Sequence, residues 1–391
     1  MEKYLKNLYK KFLKLEKYYS ILDDKKYSTS LRGLELSDRT LGEFYNEYRR
    51  VPFFSFLKNI KDIIYSKNVF DFVLKNYSED WHLWPYLKFL EKEKIVKIKK
   101  NGRVSLLKKD IVKVIPEPKT EKEIKKILEK KLKIKIKEGE FIINLFKKFQ
   151  EGEEDKSSSS LFAKAREFQV KSKWDQMPIS QGSAIFVVRK ILEKLPLNKK
   201  FLFVGDDDFI SVILGLVSPG LESLVIDADE ELLSCIRSLA RKFNLKIETK
   251  KVDIRKEKSL GEKFTGFLTS PVYTEAGVKE FVGFGKNQFG KDGGFGFLNL
   301  SDESIGNRFL FLQEFFIKNN LIIKEIITGK VYYPYIELYR EDREILRRLS
   351  SLIDERVIKK SPKIGAALYI MEFLPLRPKR VKFKKPIYAY L

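Results

Sequence analysis

The sequence has very little cysteine and histidine. Its 391 residues include one cysteine, Cys235, and one histidine, His82. This excludes a disulfide framework and a Cys/His zinc cluster within the chain. His82 lies between Trp81 and Trp84, a setting that favours packing over catalysis. The chemistry must therefore rest on carboxylates, hydroxyls, amides or lysines, and we expect no metal and no permanently bound cofactor.

Long apolar runs are also absent. No stretch approaches the ~18 consecutive apolar residues of a membrane span. The N-terminal stretch MEKYLKNLYKKFLKLEKYY lacks the apolar centre of a secretory signal. We therefore expect a cytoplasmic protein without a membrane partner.

Basic residues, by contrast, are abundant. The 78 Lys and Arg against 54 Asp and Glu give a formal net charge of +24. Abundant Lys and Glu with few Gln are typical of thermophile proteins, which favours a solvated, heat-adapted surface. Attraction to an anion is the alternative, because a positive field concentrates such partners. The two interpretations are compatible, and we expect at most weak, non-specific nucleic-acid binding.

The length and a change of pattern predict two main domains, since single domains usually span roughly 100–200 residues. Residues 151–160, EGEEDKSSSS, have the composition of a flexible linker. We predict an N-terminal helical extension at 1–65, a winged-helix-like basic domain at 66–150, the linker at 151–160 and a catalytic domain at 161–391.

The winged-helix prediction rests on two helical patterns followed by a basic two-stranded ribbon. The ribbon is expected to turn at Asn101-Gly102, a strong hairpin signal because both residues tolerate positive φ. Winged helices bind DNA, but they also mediate dimerisation or cover substrate sites. We expect self-association or covering of a pocket rather than recognition of base sequence, and hence a homo-oligomer.

After the linker, strand patterns alternate with helix patterns. KFLFVG is followed by DDFISVILGLVS, and SLVIDAD by EELLSCIRSLARKFNL. This alternation predicts an α/β fold with a Rossmann-like, doubly wound sheet that binds its ligand at the carboxyl ends of the strands.

The turn after the first of these strands is acidic, with Gly205 followed by Asp206, Asp207 and Asp208. Such a turn repels a pyrophosphate, which argues against NAD and FAD. It suits a cationic ligand, such as decarboxylated S-adenosylmethionine or a polyamine, and it offers a base for an attacking amine. The alternative is one helix N-cap and two solvated acids.

Further candidate residues follow the other strands. Asp227 ends the second strand, where a carboxylate accepts hydrogen bonds from ribose hydroxyls, and Asp229 is the expected N-cap of the next helix. Asp253 is a candidate contact to adenine, although pairing with Arg255 explains it equally well.

The fourth strand ends in SPVYT, where Ser270 and Tyr273 are candidates for contact with the acceptor substrate; plain turn chemistry and packing are the alternatives. The glycine-rich stretch from Phe281 to Phe297, which includes Gly283, is interpreted as a mobile cover or a close approach of the backbone to the ligand, with a surface loop as the alternative.

Together these segments resemble the branched-chain polyamine synthases, also called bis(aminopropyl)spermidine synthases. The segments are WDQMPISQGSA, GDDD, VIDAD, SPVYT, FVGFG and AALYIMEF. The resemblance implies an N-terminal winged helix, a Rossmann-like catalytic domain and transfer of aminopropyl groups from decarboxylated S-adenosylmethionine to spermidine. It also implies that Asp206, Asp207 and Asp208 activate the amine, that Asp227 binds ribose, and that Asp175 and Gln176 match an Asp-Gln pair of the family.

One strand end departs from the family pattern. Where the family usually has Asp-Pro-Pro, this chain has Ser270-Pro271-Val272, and a serine takes up no proton at neutral pH. Either the three aspartates suffice, or the chain is a divergent paralogue with another acceptor or without activity. An S-adenosylmethionine-dependent nucleic-acid methyltransferase and a non-catalytic protein that binds polyamine or DNA remain the alternative functions.

Overall fold

The computed structural model describes residues 1–16, 52–66, 87, 89–99, 101–146, 176–197, 199–334, 340–360 and 363–376. The chain divides into two compact units. Unit 1 comprises Met1–Ile115 and Pro375–Leu391, and unit 2 comprises Pro116–Leu374. The predicted linker at 151–160 and His82 lie outside the described residues, so both interpretations stay predictions.

The described residues of unit 1 include two α-helices and a short antiparallel ribbon. The helices are α1 (Glu2–Glu16) and α2 (Phe53–Ile64), and the strands are β1 (Val96–Ile98) and β2 (Val104–Leu106). Gly102 has φ +79° in the turn between the strands, which confirms the predicted hairpin. The rings of Phe12, Phe56 and Phe89 pack against one another in the core. The winged-helix character of this region stays a prediction.

Unit 2 is built on a seven-stranded sheet. Its strands are β3 (Phe201–Val204), β4 (Ser223–Asp227), β5 (Ile247–Lys251), β6 (Gly266–Thr269), β7 (Gly294–Leu300), β8 (Leu321–Tyr333) and β9 (Ile364–Phe373). Their order is β5-β4-β3-β6-β7-β9-β8. The first five in this order are parallel, and β9 lies antiparallel between β7 and β8. The predicted Rossmann-like α/β fold is confirmed.

The helices of unit 2 begin at polar caps in several places. The α-helices in its described residues are α3 (Glu121–Leu132), α4 (Gln181–Lys194), α5 (Ile210–Val217), α6 (Glu230–Lys242), α7 (Glu275–Asn287), α8 (Asp302–Ile305), α9 (Phe309–Lys318), α10 (Arg340–Leu349) and α11 (Glu355–Lys360). Thr120 and Glu123 form a capping box on α3, and the hydroxyls of Ser180 and Thr274 cap α4 and α7.

The boundary between the two units, Ile115/Pro116, lies within the range 66–150 predicted as a winged-helix-like domain, and that domain assignment stays a prediction. Helix α3 contacts α4 and α5, because its buried side chains Ile124, Leu128 and Leu132 form an apolar face. The described residues from 116 to 146 therefore belong with the sheet of unit 2.

The expectation of a loop from Phe281 to Phe297 is wrong for most of this stretch. Helix α7 continues to Asn287, and β7 begins at Gly294. The glycines provide space for aromatic rings: a Cβ on Gly285 would lie 2.6 Å from the Phe267 ring, and one on Gly294 would lie 2.3 Å from the Phe289 ring. Close packing against aromatic rings thus explains Gly285 and Gly294.

No helix in the described part of the chain is long and apolar enough to cross a membrane.

Candidate functional site at the carboxyl ends of the strands

Parallel strands end at the same edge of the sheet, and this brings several predicted residues together. Gly205 to Asp208 follow β3, Asp227 ends β4 and Ser270 follows β6. Gly205 has φ +76°, which favours glycine, and a Cβ there would lie 3.8 Å from Asp227 Oδ2 and 3.8 Å from the Phe281 ring. The acidic turn therefore lies directly beside the end of β4.

Asp206 caps the helix that follows the turn. Its Oδ1 accepts a hydrogen bond from the Ile210 N–H at 2.9 Å, and its Oδ2 accepts one from the Ser211 N–H at 3.2 Å. Burial raises the pKa of Asp206 well above its ordinary range. These contacts match the helix-cap part of the alternative, but Asp208 is buried and is therefore not a solvated acid.

Asp207 and Asp208 face the segment that precedes α4. The Met177 N–H donates to Asp207 Oδ2 at 2.9 Å, and the Ile179 N–H donates to Asp208 Oδ1 at 2.8 Å. The segment from Gln176 to Ser180 is in turn held to the end of β8, because the Ser180 N–H donates to the Tyr332 carbonyl at 3.0 Å. The chain thus orients these two carboxylates with backbone donors.

Gln176 contacts Asp229, which follows the end of β4. Its Nε2 donates to Asp229 Oδ2 at 3.0 Å, and the Asp229 N–H donates to Asp227 Oδ1 at 2.7 Å. Asp229 also caps α6 by accepting from the Glu231 N–H, which confirms its predicted role. Asp175 lies outside the described residues.

Ser270 connects the acidic turn to β7. Its hydroxyl donates to Asp208 Oδ2 at 3.1 Å and accepts from Asn299 Nδ2 at 3.0 Å. Sequence reasoning missed Asn299, although a single amide within the apolar run GFGFLNL is a usable signal. Asn299 is fully buried, and in the described part of the chain its Oδ1 has no hydrogen-bond partner.

Tyr273 shares a hydrogen bond with Tyr333, the last residue of β8, across 2.8 Å between the two hydroxyls. Burial, Tyr273 and the negative charges of Asp208 and Asp207 raise the pKa of Tyr333 well above its ordinary value. This tyrosine pair therefore borders the acidic turn. Tyr333 was also missed, because its neighbours depend on the tertiary path of β8.

Asp253 and Gly283, also predicted as site residues, contact residues outside the acidic turn. Arg255 holds both oxygens of Asp253, each at 2.8 Å, and this pairing lowers the pKa of Asp253 to about 2. Gly283 lies within α7 and faces α9, where a Cβ would lie 3.5 Å from the Phe315 ring. The contacts of Asp253 match the alternative of an ion pair, and those of Gly283 match helix packing.

The pKa values of the acidic turn determine which chemistry it can perform. Burial raises the pKa of Asp207 well above the ordinary value, with further contributions from the charges of Asp208 and Asp227. Burial likewise raises the pKa of Asp208 to about 7, against the opposing hydrogen bonds from Ile179 and Ser270. Across the described ranges, no Lys or Arg forms an ion pair with Asp206, Asp207 or Asp208. The arrangement can bind a cation and can exchange a proton near neutral pH.

A metal site is a separate question. Within the part of the chain that the structure describes, no group of three or more His, Cys, Asp or Glu is arranged to hold a metal ion. The expectation that the protein uses no metal stays a prediction.

The family follows from comparison with known proteins. A sequence profile described as "Branched-chain polyamine synthase A C-terminal domain" matches residues 156–371, more than half of the chain. The chain belongs to this family.

Individual relatives match over shorter stretches. An uncharacterized protein of Methanocaldococcus jannaschii is 34% identical over 152 residues, which cover 38% of each chain. The N(4)-bis(aminopropyl)spermidine synthase of the same organism is 28% identical over 194 residues, which cover 44% of this chain and 55% of that protein. The chain thus spans about two fifths to about half the length of these curated relatives.

A solved structure of the branched-chain polyamine synthase from Thermus thermophilus, in complex with N4-aminopropylspermidine and 5'-methylthioadenosine, is also similar. It is 19% identical, with 86% of this chain and 92% of that chain covered, at a TM-score of 0.44.

Proposed function

We propose that this protein transfers aminopropyl groups from decarboxylated S-adenosylmethionine to a polyamine such as spermidine, giving branched polyamines. One observation carries the proposal: Asp207 and Asp208 lie at the strand ends with raised pKa values and, in the described residues, without a Lys or Arg in an ion pair. Membership of the polyamine synthase family supports it.

The charge of the site fits these substrates. Decarboxylated S-adenosylmethionine carries a sulfonium and an ammonium, and it lacks the carboxylate of S-adenosylmethionine. A polyamine is cationic along its whole length. Placing either cation near Asp207 and Asp208 offsets the mutual repulsion of their carboxylates, whereas a further carboxylate adds to it.

The reaction joins the acceptor nitrogen to the carbon next to the sulfonium. The nitrogen lone pair forms the new C–N bond, the C–S bond breaks, and its electron pair leaves with 5'-methylthioadenosine. The nitrogen can attack only as a neutral amine, so the ammonium has to lose a proton first. Asp208 accepts that proton, since a pKa of about 7 suits a base at neutral pH.

The remaining candidates have subsidiary roles in this proposal. Asp227 accepts the ribose hydroxyls, and Gly205 leaves space beside it. Tyr273 borders the amine side of the site together with Ser270. Gln176 orients Asp229 and, through it, Asp227. Contacts of Asp253 with adenine and of Gly283 with substrate stay predictions.

The test is a product assay on the full chain. Incubation with decarboxylated S-adenosylmethionine and a panel of polyamines is expected to give aminopropylated products and methylthioadenosine by mass spectrometry. Asp208→Asn keeps the size of the side chain but removes its basicity, and we expect turnover to fall about 10²–10⁴-fold. Asp354→Asn, at an exposed Asp paired with Arg356, is the matched control and keeps turnover.

Three outcomes count against the assignment. The first is wild-type turnover in both Asp207→Asn and Asp208→Asn. The second is preferential binding of S-adenosylmethionine, which would favour a methyltransferase. The third is polyamine or DNA binding without any turnover, which would favour a non-catalytic protein. Activity lost to a chelator and restored by one divalent ion would separately contradict the metal-free prediction.

A further inference from the structure

Two hydrogen bonds in series lead from the buried strand β7 to the Asp208 carboxylate. Asn299 Nδ2 lies 3.0 Å from Ser270 Oγ, which lies 3.1 Å from Asp208 Oδ2. Asn299 is fully buried, and Ser270 is half-buried at the edge of the site. Residues from two adjacent strands therefore act on one oxygen of one carboxylate.

The chemistry of the three residues decides which group donates and which accepts in each of these two hydrogen bonds. An ionised carboxylate only accepts, so the Ser270 hydroxyl donates its single proton to Asp208. The same hydroxyl can then only accept from Asn299, which has to present its amide N–H. Asn299 Oδ1 is buried and has no partner in the described part of the chain, so no other described contact opposes this orientation.

We propose that Ser270 and Asn299 are positioning residues that hold Asp208 oriented and ionised for proton transfer. This inference rests on the proposed function. It also gives the serine at this strand end a role of its own: a hydrogen bond stabilises the carboxylate of Asp208, where a second acid would oppose its ionisation.

Of the other groups that face Asp208, some favour its ionised form and others disfavour it. The carboxylates of Asp206 and Asp207 and burial itself disfavour its ionised form, and the Tyr333 hydroxyl lies nearby as a neutral group. The Ile179 N–H favours ionisation from the Oδ1 side. The hydrogen bond from Ser270 to Oδ2 thus opposes the effect of burial on the pKa of Asp208.

The test compares pH profiles of kcat/KM for spermidine as acceptor. Ser270→Ala removes the donor, so we expect the acidic limb to move upward by about one pH unit, with an activity loss of about tenfold below the limb and little loss above it. Asn299→Leu removes the amide N–H without adding a charge, and it is expected to move the limb in the same direction. Ser270→Thr retains the hydroxyl and is expected to retain the limb.

A neighbouring hydroxyl provides the control. Thr269, the residue before Ser270, donates to the Val204 carbonyl at 2.8 Å. Thr269→Val has the same shape and also loses a buried hydrogen bond, but we expect its acidic limb to stay at the wild-type position. If the acidic limb lies at the same pH in Ser270→Ala, Thr269→Val and the wild type, the inference is overturned.

A second measurement separates this inference from the proposed function. A ¹³C NMR titration of the aspartate carboxyl carbons, with the Asp208 signal assigned by its loss in Asp208→Asn, gives the pKa without turnover. A higher Asp208 pKa in Ser270→Ala supports the positioning role even if no aminopropyl product forms, in which case the proposed function alone fails. An unchanged pKa overturns the positioning role even if the product assay succeeds.

Discussion

Asp206, Asp207 and Asp208 are adjacent in the chain but have different partners. The Asp206 carboxylate caps α5, whereas Asp207 and Asp208 accept from the segment that precedes α4. Asp208 also accepts a hydrogen bond from the Ser270 hydroxyl, which in turn accepts one from Asn299 of β7. At the scale of single residues, the three acids are therefore not interchangeable, and Asp208 has the contacts of a tuned base.

The raised pKa of Asp208 predicts a pH-dependent stability. Because the folded-state pKa of about 7 exceeds the ordinary value of 3.8, this group stabilises the fold fully below pH ~4, and that stabilisation is lost as the pH rises through 7. Asp208→Asn cannot ionise. Relative to the wild type, it should gain stability between pH 5 and pH 8, by at most about 3 kcal/mol.

Urea unfolding of both proteins at the two pH values measures this gain. Asp354→Asn is the control: Arg356 lowers the pKa of Asp354, so that carboxylate is ionised throughout the range and its replacement should shift stability equally at both pH values. A loss of relative stability in Asp208→Asn at the higher pH would contradict the prediction.

Sequence reasoning found the acids but not all of their neighbours. The strand-turn-helix pattern was sufficient to place Gly205 to Asp208 at a strand end, because that placement depends on local periodicity. Asn299 lies beside Ser270 because β6 and β7 pair in a register that aligns Thr269 with Leu298. Such a register is a tertiary property and leaves no mark in the local pattern.

At the scale of elements, helix α7 shows why glycine content alone misled the prediction. Gly283 and Gly285 are two residues apart in the same helix, but they face different surroundings. Gly285 faces the Phe267 ring of β6, and Gly283 has ordinary contact distance to Phe315 of α9. The strand-helix alternation was predictable from apolar periodicity, whereas the reason for these glycines required the packed structure.

This difference predicts opposite effects of two alanine substitutions. Gly285→Ala would place a Cβ 2.6 Å from the Phe267 ring, so the helix has to move, and we expect a destabilisation of about 1–3 kcal/mol. Gly283→Ala meets only a 3.5 Å contact and gains helix propensity, so we expect a change between neutral and about 1 kcal/mol of stabilisation. Thermal unfolding of both variants measures the contrast, and equal destabilisation would contradict it.

A group of buried charges joins α4 to β8. Lys190 Nζ lies 2.9 Å from Glu325 Oε2, and Lys194 also pairs with Glu325. Both lysines are buried, and Glu193 also pairs with each of them. Although burial opposes it, the two lysines lower the pKa of Glu325, so its stabilising contribution is present above the ordinary pKa and is lost as the pH falls.

Removing Glu325 is therefore expected to be costly. Glu325→Gln leaves two buried lysines with one carboxylate, and we expect about 2–4 kcal/mol of destabilisation at pH 7. The exposed pair of Glu314 with Lys318 is the control, and Glu314→Gln should change stability by less than about 1 kcal/mol. Urea unfolding measures the stability of both variants. If Glu325→Gln changes stability as little as Glu314→Gln does, the prediction is contradicted, and the Lys190, Lys194 and Glu325 charges are solvated in solution.

At the scale of the whole molecule, the charge is concentrated in one unit. Unit 1, Met1–Ile115 with Pro375–Leu391, contains 32 Lys and Arg against 15 Asp and Glu, which gives +17 of the total +24. The sequence predicted a basic domain before the linker and an acidic turn after it, and the division into units follows the same contrast. Self-association through the basic region stays a prediction, as does the linker at 151–160.

This concentration of charge predicts weak binding to nucleic acid that depends on salt rather than on sequence. Lys97, Lys99 and Arg103 are exposed on the β1–β2 ribbon, where they can contact phosphates, and phosphate contacts carry no sequence information. We expect dissociation constants of about 10⁻⁴–10⁻⁶ M at physiological salt, with affinity falling steeply as salt rises, because binding releases condensed counterions.

Fluorescence anisotropy with two duplexes of unrelated sequence, from low to physiological salt, measures the affinity and its dependence on salt and on sequence. Lys97→Glu should weaken binding to both duplexes equally. Nanomolar binding that distinguishes the two duplexes at physiological salt would show that the basic unit recognises sequence.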